Sequence, residues 1–234
     1  YGYKTSVSNL MVNHLKKKVT KLINYGVVKN NNNILDIGSN DGTFLNFFSN
    51  IQKKVNLHGI DPSAGAFLNN YKKNINLIID FFNKKTVWEN YIKNKTKFSL
   101  ITSYAMFYDI EEPNDFCKDI SKILSKNGIW ALEFSYFPLL LKNLTYDQIC
   151  HEHCIYYSLS TFKKITNRKS IFNVSWIDSH SLNKDEFKGL FYTGDYSKLN
   201  QKPQYFHYKN KKLGLWEEIF LSFYIKRFSF SKII

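Results

Sequence analysis

The sequence predicts an α/β fold: a doubly wound, mostly parallel sheet in a three-layer α/β/α arrangement, Rossmann-like in topology. Three observations carry this. Short apolar runs alternate with amphipathic stretches of helical period along the first 137 residues. The first of those runs ends in a glycine turn that opens a helix. The first three runs each end at or beside an aspartate: Asp36, Asp61 and Asp80.

The elements follow in order. Leu10, Met11, Leu15, Val19, Leu22 and Ile23 recur at helical spacing and predict a helix over 9–24. The polar run Asn30–Asn33 leads into a short strand, Ile34–Ile37, that stops at Gly38. Phe44, Leu45, Phe47, Phe48 and Ile51 then mark a second helix, and Val55–Ile60 a second strand ending in Asp61-Pro62. Helices near 63–72, 84–95 and 112–125 alternate with strands near 75–79, 98–103 and 129–134. Because parallel strands need right-handed crossovers, this alternation makes a doubly wound sheet the default. Past 137 the pattern loosens. It reads as a helix near 138–144, a loop over 145–157, a helix near 158–167, strands near 171–177 and 188–194, a polar link over 195–212 and a last helix from 213.

With 44% apolar and 17% aromatic residues, the 234-residue chain has enough material for a core and is not a disordered tail. The net charge of +14 first suggests nucleic acid. However, 31 of the 33 basic residues are Lys, and Arg168 and Arg227 are the only arginines. Lys, Asn, Ile, Phe and Tyr supply about half the chain, the signature of AT-rich codons. Base readers depend on the arginine fork, so no nucleic-acid partner is expected. The most apolar stretch, Ile129–Leu141, is interrupted by Glu133 and Pro138, so no membrane partner is expected either. Three cysteines (Cys117, Cys150, Cys154) and no visible signal peptide suggest a reducing, cytoplasmic setting. The start at Tyr1 and the stop at Ile234 suggest a piece of a longer protein.

The first chemical motif is Asp36-Ile-Gly38-Ser-Asn40-Asp41-Gly42, set between strand and helix, where open α/β sheets bind ligands. Gly38 allows the tight turn and Gly42 a close helix–strand approach. Asn40 stands where a dinucleotide fingerprint has its second glycine, which opposes a dehydrogenase. Asp36 would repel a pyrophosphate and attract an ammonium. Asp61, followed by Pro62, is placed to accept hydrogen bonds from a ribose diol. Asp80, followed by Phe81, suits an adenine, with its amine bonded and its ring stacked. Ribose, adenine and ammonium without a phosphate requirement describe S-adenosyl-L-methionine. A generic strand–helix turn with capping Asp and Asn residues would explain any one of these acids but not three in succession.

The second constellation is Cys150-His151-Glu152-His153-Cys154, flanked by Tyr146, Tyr156 and Tyr157. It can be read as a metal site, a polar loop before a capped helix, or a general base tuned by a carboxylate. Contiguous ligands cannot wrap a tetrahedral ion, and no second pair stands at zinc spacing, so no metal is expected. The loop follows strand five, on the same sheet edge as the cofactor motif, which favours the base.

From Tyr1 to about Tyr157 the chain resembles the sugar C-methyltransferases, which act on nucleotide-linked keto-deoxysugars. The resemblance rests on residues 34–43 (Ile-Leu-Asp-Ile-Gly-Ser-Asn-Asp-Gly-Thr), Gly59-Ile-Asp-Pro-Ser, Asp115-Phe, Gly128-Ile-Trp-Ala-Leu-Glu133 and His151-Glu-His153 with Tyr156-Tyr-Ser158. It implies the central, S-adenosylmethionine-binding domain of a three-part protein, between a zinc-binding segment and a C-terminal nucleotide-sugar-binding domain. On this reading 1–30 is a helical lead-in, 31–195 the methyltransferase domain, and 196–234 a linker and the start of a C-terminal region. The resemblance makes His153 the base that removes a proton from a carbon beside a ketone, with Glu152 and His151 beside it and a nucleotide sugar as substrate. A tyrosine from the N-terminal segment, Tyr1 or Tyr3, is also implied at the site. Two departures stand out: Cys150 replaces a frequent tyrosine, and Ser179–Gly189 lacks the family's Gly-Gly-Ser turn. The alternatives are an O- or N-methyltransferase on another small molecule, a nucleic-acid methyltransferase, or a cofactor-binding fragment without activity.

Overall fold

The structure, a computed structural model, describes residues 3–24, 26–52, 54–142, 149–166, 172–179 and 220–227. Seven strands form one sheet: β1 (Asn33–Ile37), β2 (Asn56–Ile60), β3 (Ile75–Ile78), β4 (Phe98–Tyr104), β5 (Leu124–Ser135), β6 (Phe172–Ser179) and β7 (Phe220–Arg227). Their spatial order is β3-β2-β1-β4-β5-β7-β6. The pairings from β3 through β5 are parallel, and β7 runs antiparallel to both β5 and β6. The order reverses between β1 and β4, which opens a crevice at their carboxyl ends.

The helices are α1 (Asn9–Asn24), α2 (Thr43–Ile51), α3 (Lys84–Val87), α4 (Pro113–Ile123), α5 (Phe137–Lys142) and α6 (Leu159–Thr166). Ser8 Oγ accepts from the Met11 amide at 3.3 Å, satisfying an otherwise orphaned donor in the first turn of α1. Pro113 begins α4, where its missing N–H costs nothing. The predicted helix over 63–72 is a pair of 3₁₀ turns (Ala64–Asn70) broken at Phe67, and the one over 84–95 is α3 followed by a π turn, Trp88–Ile92.

Alternation along the strands sorts the core into two layers. Ile34, Leu57, Leu100 and Ala131 face α1 and α2, packing on Leu15, Val19, Leu22, Phe44 and Phe48. Leu35, Ile37, Ile101, Trp130, Leu132 and Phe134 face the other side, against Phe116 and Ile120 of α4 and Phe162 of α6. This second layer is heavily aromatic. Phe107 lies 5.1–5.7 Å from the rings of Phe116, Trp130, Tyr157 and Phe162, and each such pair adds about 0.5–1.5 kcal/mol beyond burial.

One expectation fails. The helix predicted from 213 is a strand over Phe220–Arg227. Its aromatic and β-branched residues suit a pleated surface, and β5 offers an unpaired edge that it fills from Phe220 opposite Ser135 to Lys226 opposite Ile129. The predicted strand near 188–194 and link over 195–212 lie outside the described residues. Among those residues no helix is long and apolar enough to cross a membrane.

Gly42 caps α2 at φ +76, and a Cβ there would lie 2.8 Å from the Tyr71 ring. Gly42→Ala therefore destabilises the fold by about 1–3 kcal/mol, read as a lower urea midpoint at unchanged slope.

Candidate functional site

The carboxyl ends of β1, β2, β4 and β5 open into one cavity of about 610 Å³. Its walls include Asp36, Gly38, Asn40, Asp41, Asp61, Pro62, Phe81, Asp109, Glu133, Cys150 and His153. Eight of the residues picked from the sequence thus meet there: Asp36, Gly38, Asn40, Asp41, Asp61, Pro62, Phe81 and His153. Four do not line it. Gly42 lies beneath the Tyr71 ring. Asp80 is exposed and accepts from the Phe81 amide (2.7 Å) and Thr86 Oγ1 (2.9 Å), so it shapes the turn that presents Phe81. His151 and Glu152 are exposed.

Asp36 stands on the same sheet face as α1 and is buried. Thr102 Oγ1, from the neighbouring strand, donates to Asp36 Oδ1 at 2.6 Å. Burial pushes this carboxyl up, the Thr102 hydrogen bond pulls it back in part, and the Asp61 charge pushes it further, to about 7. Among the described residues no cation of the chain is bonded to it.

After β1 the chain turns sharply. Gly38 takes φ +76, and a Cβ there would meet Met106 Cγ at 3.0 Å, so the turns after β1 and β4 are in contact. Asn40 adopts φ +48, and its amide donates to Asp61 Oδ2 at 2.8 Å. Asp61 Oδ1 accepts from the Ser63 amide (2.7 Å) and Ser63 Oγ (2.5 Å). Three of about four acceptor positions on Asp61 are thereby filled, leaving one on Oδ2. Tyr71 donates to the Asn40 carbonyl at 2.7 Å and meets Ser39 Oγ at 2.8 Å, bracing the turn from behind.

The far end of the cavity is built by two loops that hold each other. Met106–Ile110 follows β4, and 149–157 precedes α6. The Ile155 amide donates to the Tyr108 carbonyl (3.1 Å), and the Phe137 amide to the Tyr157 carbonyl (2.9 Å). The Tyr108 and His153 ring centroids lie 4.1 Å apart with the planes tilted by 47°, so the two rings pack together. Asp109 sits on the same rim. Burial and then the Glu152 charge raise its carboxyl to about 7.

Sequence reasoning missed Asp109 and Glu133 as cavity residues. Asp109 carries the same signal as the acids that were read, since it lies just past a strand end. Glu133 shows only as a lone charge in an apolar strand. Its partners lie more than 110 residues away: His14 Nε2 approaches it at 2.8 and 3.0 Å, and Lys18 Nζ at 3.0 Å, all nearly inaccessible to water. The cavity wall carries five carboxylates and, among the described residues, no Lys or Arg side chain. The +14 charge of the chain lies elsewhere.

Comparison with known proteins agrees with this architecture. A family model described as a methyltransferase domain matches residues 11–169. The C-methyltransferase NovU of Streptomyces niveus is 25% identical over 161 residues, covering 69% of this chain; the chain spans 38% of the length of that protein. The plantazolicin methyltransferase BamL, solved with a triazolic desmethylPZN analog and SAH, superposes with a TM-score of 0.60 at 15% identity, over 94% of this chain and 86% of that one. A SAM dependent methyltransferase from Aquifex aeolicus gives 0.56 at 15% identity, over 91% of this chain and 89% of that one. At these identities the likeness of the solved structures is one of fold.

Asp36 also makes a measurable contribution to stability. Its carboxyl titrates near 7 when folded and near the ordinary 3.8 when unfolded. Between those values the folded state holds the extra proton, so stability falls as pH rises through the window and levels off above 7. The loss from this group is at most about 4 kcal/mol. Asp36→Asn removes that part of the slope, and urea unfolding from pH 4 to 8 measures it.

Proposed function

The chain belongs to the methyltransferase-domain family, and from that premise we propose that it transfers the methyl group of S-adenosylmethionine to a carbon alpha to a ketone of a nucleotide-linked deoxysugar, with His153 as general base. The observation that carries the reading is that His153 and the strand-end acids Asp36 and Asp61 open onto one cavity. The similarity to a C-methyltransferase supports carbon as the acceptor atom.

The residues at the near end fit the cofactor. A buried carboxylate without a cation partner is costly, and an incoming ammonium relieves that cost at Asp36. Asp61 offers its remaining Oδ2 position to a ribose hydroxyl. Phe81 and Pro62 supply apolar wall for the adenine, and Asp80 holds the turn that carries Phe81. When bound, the cofactor would supply a methyl group that takes the electron pair of the deprotonated carbon as its bond to sulfur breaks and S-adenosylhomocysteine leaves.

At the far end, His153 takes the proton from the acceptor carbon, whose acidity comes from the neighbouring ketone. The Tyr108 ring packs beside the imidazole, and Glu152, the preceding residue, orients the ring and stabilises the imidazolium as it forms. Positioning carries much of the remaining rate, because base and methyl donor must approach the same carbon from different directions.

Two substitutions test this with a panel of nucleotide-linked keto-deoxysugars and mass spectrometry of the products. His153→Ala leaves cofactor affinity intact while turnover falls by about 10²–10⁴-fold, the usual range for a general base. Full turnover in that variant removes His153 from the reaction, and a methyl group found on oxygen or nitrogen favours the other acceptor chemistries. Asp61→Ala weakens S-adenosylhomocysteine binding in titration calorimetry by about 10–100-fold, as expected for a lost hydrogen bond to a charged group. An unchanged dissociation constant contradicts the ribose assignment.

A further inference from the structure

We propose that Asn40 and Asp41 are positioning residues that hold the N-terminal arm, residues 3–7, as a wall of the cavity, rather than ligands of the cofactor. This rests on the methyltransferase reading for what the cavity holds, but the contacts that carry it lie within the chain.

Both Asn40 side-chain atoms are turned to the arm. Oδ1 accepts from the Thr5 amide at 3.0 Å and from Thr5 Oγ1 at 3.1 Å, which fills both of its acceptor positions. Nδ2 donates to the Tyr3 carbonyl at 2.9 Å. Asp41 repeats the arrangement one residue on. Its Oδ2 accepts from the Ser6 amide at 2.9 Å, while Oδ1 accepts from the Thr43 amide (3.2 Å) and Thr43 Oγ1 (2.7 Å) at the start of α2. Burial raises the Asp41 carboxyl, but the Ser6 and Thr43 hydrogen bonds outweigh it and hold the group below its ordinary value. The carboxylate is thus committed to these donors.

The arm these residues hold is part of the site. Tyr3 and Thr5 line the cavity, as do Met11 and Leu15 on the helix that follows. The left-handed backbone at Asn40, φ +48, fits the same role. Asn tolerates that conformation better than most side chains, and unlike Gly it brings an amide that bonds two residues of the arm, Tyr3 and Thr5. The Asn-Asp pair therefore couples the turn after β1 to the adjoining wall that the arm forms.

Asn40→Gly tests the assignment. Glycine keeps φ +48 and the backbone bond to Asp61 but removes the three Asn40 side-chain bonds to the arm. Hydrogen exchange at the Thr5 and Ser6 amides is expected to speed up by about tenfold or more, with S-adenosylhomocysteine affinity within about fivefold of the parent. Asp41→Asn keeps size and shape, and is expected to speed exchange mainly at Ser6. For a positioning role, Asn40→Asp, which retains the acceptor for Thr5, restores protection there. Unchanged exchange at Thr5 and Ser6 in Asn40→Gly overturns the proposal, as does a loss of cofactor affinity beyond about fivefold, which makes Asn40 a ligand. If the parent chain binds no S-adenosylhomocysteine, the cofactor reading fails while the exchange result still judges the arm.

Discussion

The buried carboxylate of Glu133, held by His14 and Lys18, is the contact on which the site's architecture depends. It joins the carboxyl end of β5 to the inner face of α1. Taking three ionisable groups out of water is expensive, and removing one partner from such a group commonly costs about 3–5 kcal/mol. An apolar set of the same volume would hold the helix as well or better. What the ionic contact adds is direction: His14 and Lys18, four residues apart on α1, both meet Glu133 in this placement of the helix. That placement sets Met11 and Leu15 against the cavity and delivers the preceding arm to Asn40 and Asp41.

The opposite end of the cavity is organised by a different force. There the aromatic layer around Phe107 fixes the loop after β4 and, through Tyr157 and Phe162, the segment that carries His153. Aromatic pairs constrain direction as well as distance, because edge-to-face contacts fail when a ring turns. The His153 ring is in turn set against Tyr108. One wall of the site is therefore held by charge and hydrogen bonds and the other by packed rings, with the rigid ends of β1 and β4 between them.

The electrostatics of the cavity run against those of the whole chain. A protein of net charge +14 encloses a space lined by Asp36, Asp41, Asp61, Asp109 and Glu133. Two of these, Asp36 and Asp109, are raised to about 7, so the cavity carries less negative charge than its composition implies and gains charge as protons leave. The lysines reflect composition more than chemistry; the acids mark the site.

The amino-acid sequence alone determined the alternation of elements, the sheet class, the turn after β1 and the acids at the ends of β1 and β2, because these depend on local periodicity and on residues within a few positions of one another. It also marked the His151-Glu152-His153 run, a local signal in a polar loop after a strand, within which the resemblance to sugar C-methyltransferases singles out His153. Tertiary structure decided what local patterns cannot carry. Residues 220–227 became a strand because β5 presents an open edge that a helix could not fill. Asp80, His151 and Glu152 stand off the cavity wall, although the sequence places them beside residues that line it. Asn40 and Asp41 read as cofactor ligands by position, yet their side chains are bonded to Thr5 and Ser6, about 35 residues away. Glu133 joined the site only through His14 and Lys18. The physical reason is common to all of these. A polar side chain in a folded protein bonds to whichever donor or acceptor the packing brings within about 3 Å, and sequence distance does not enter that choice.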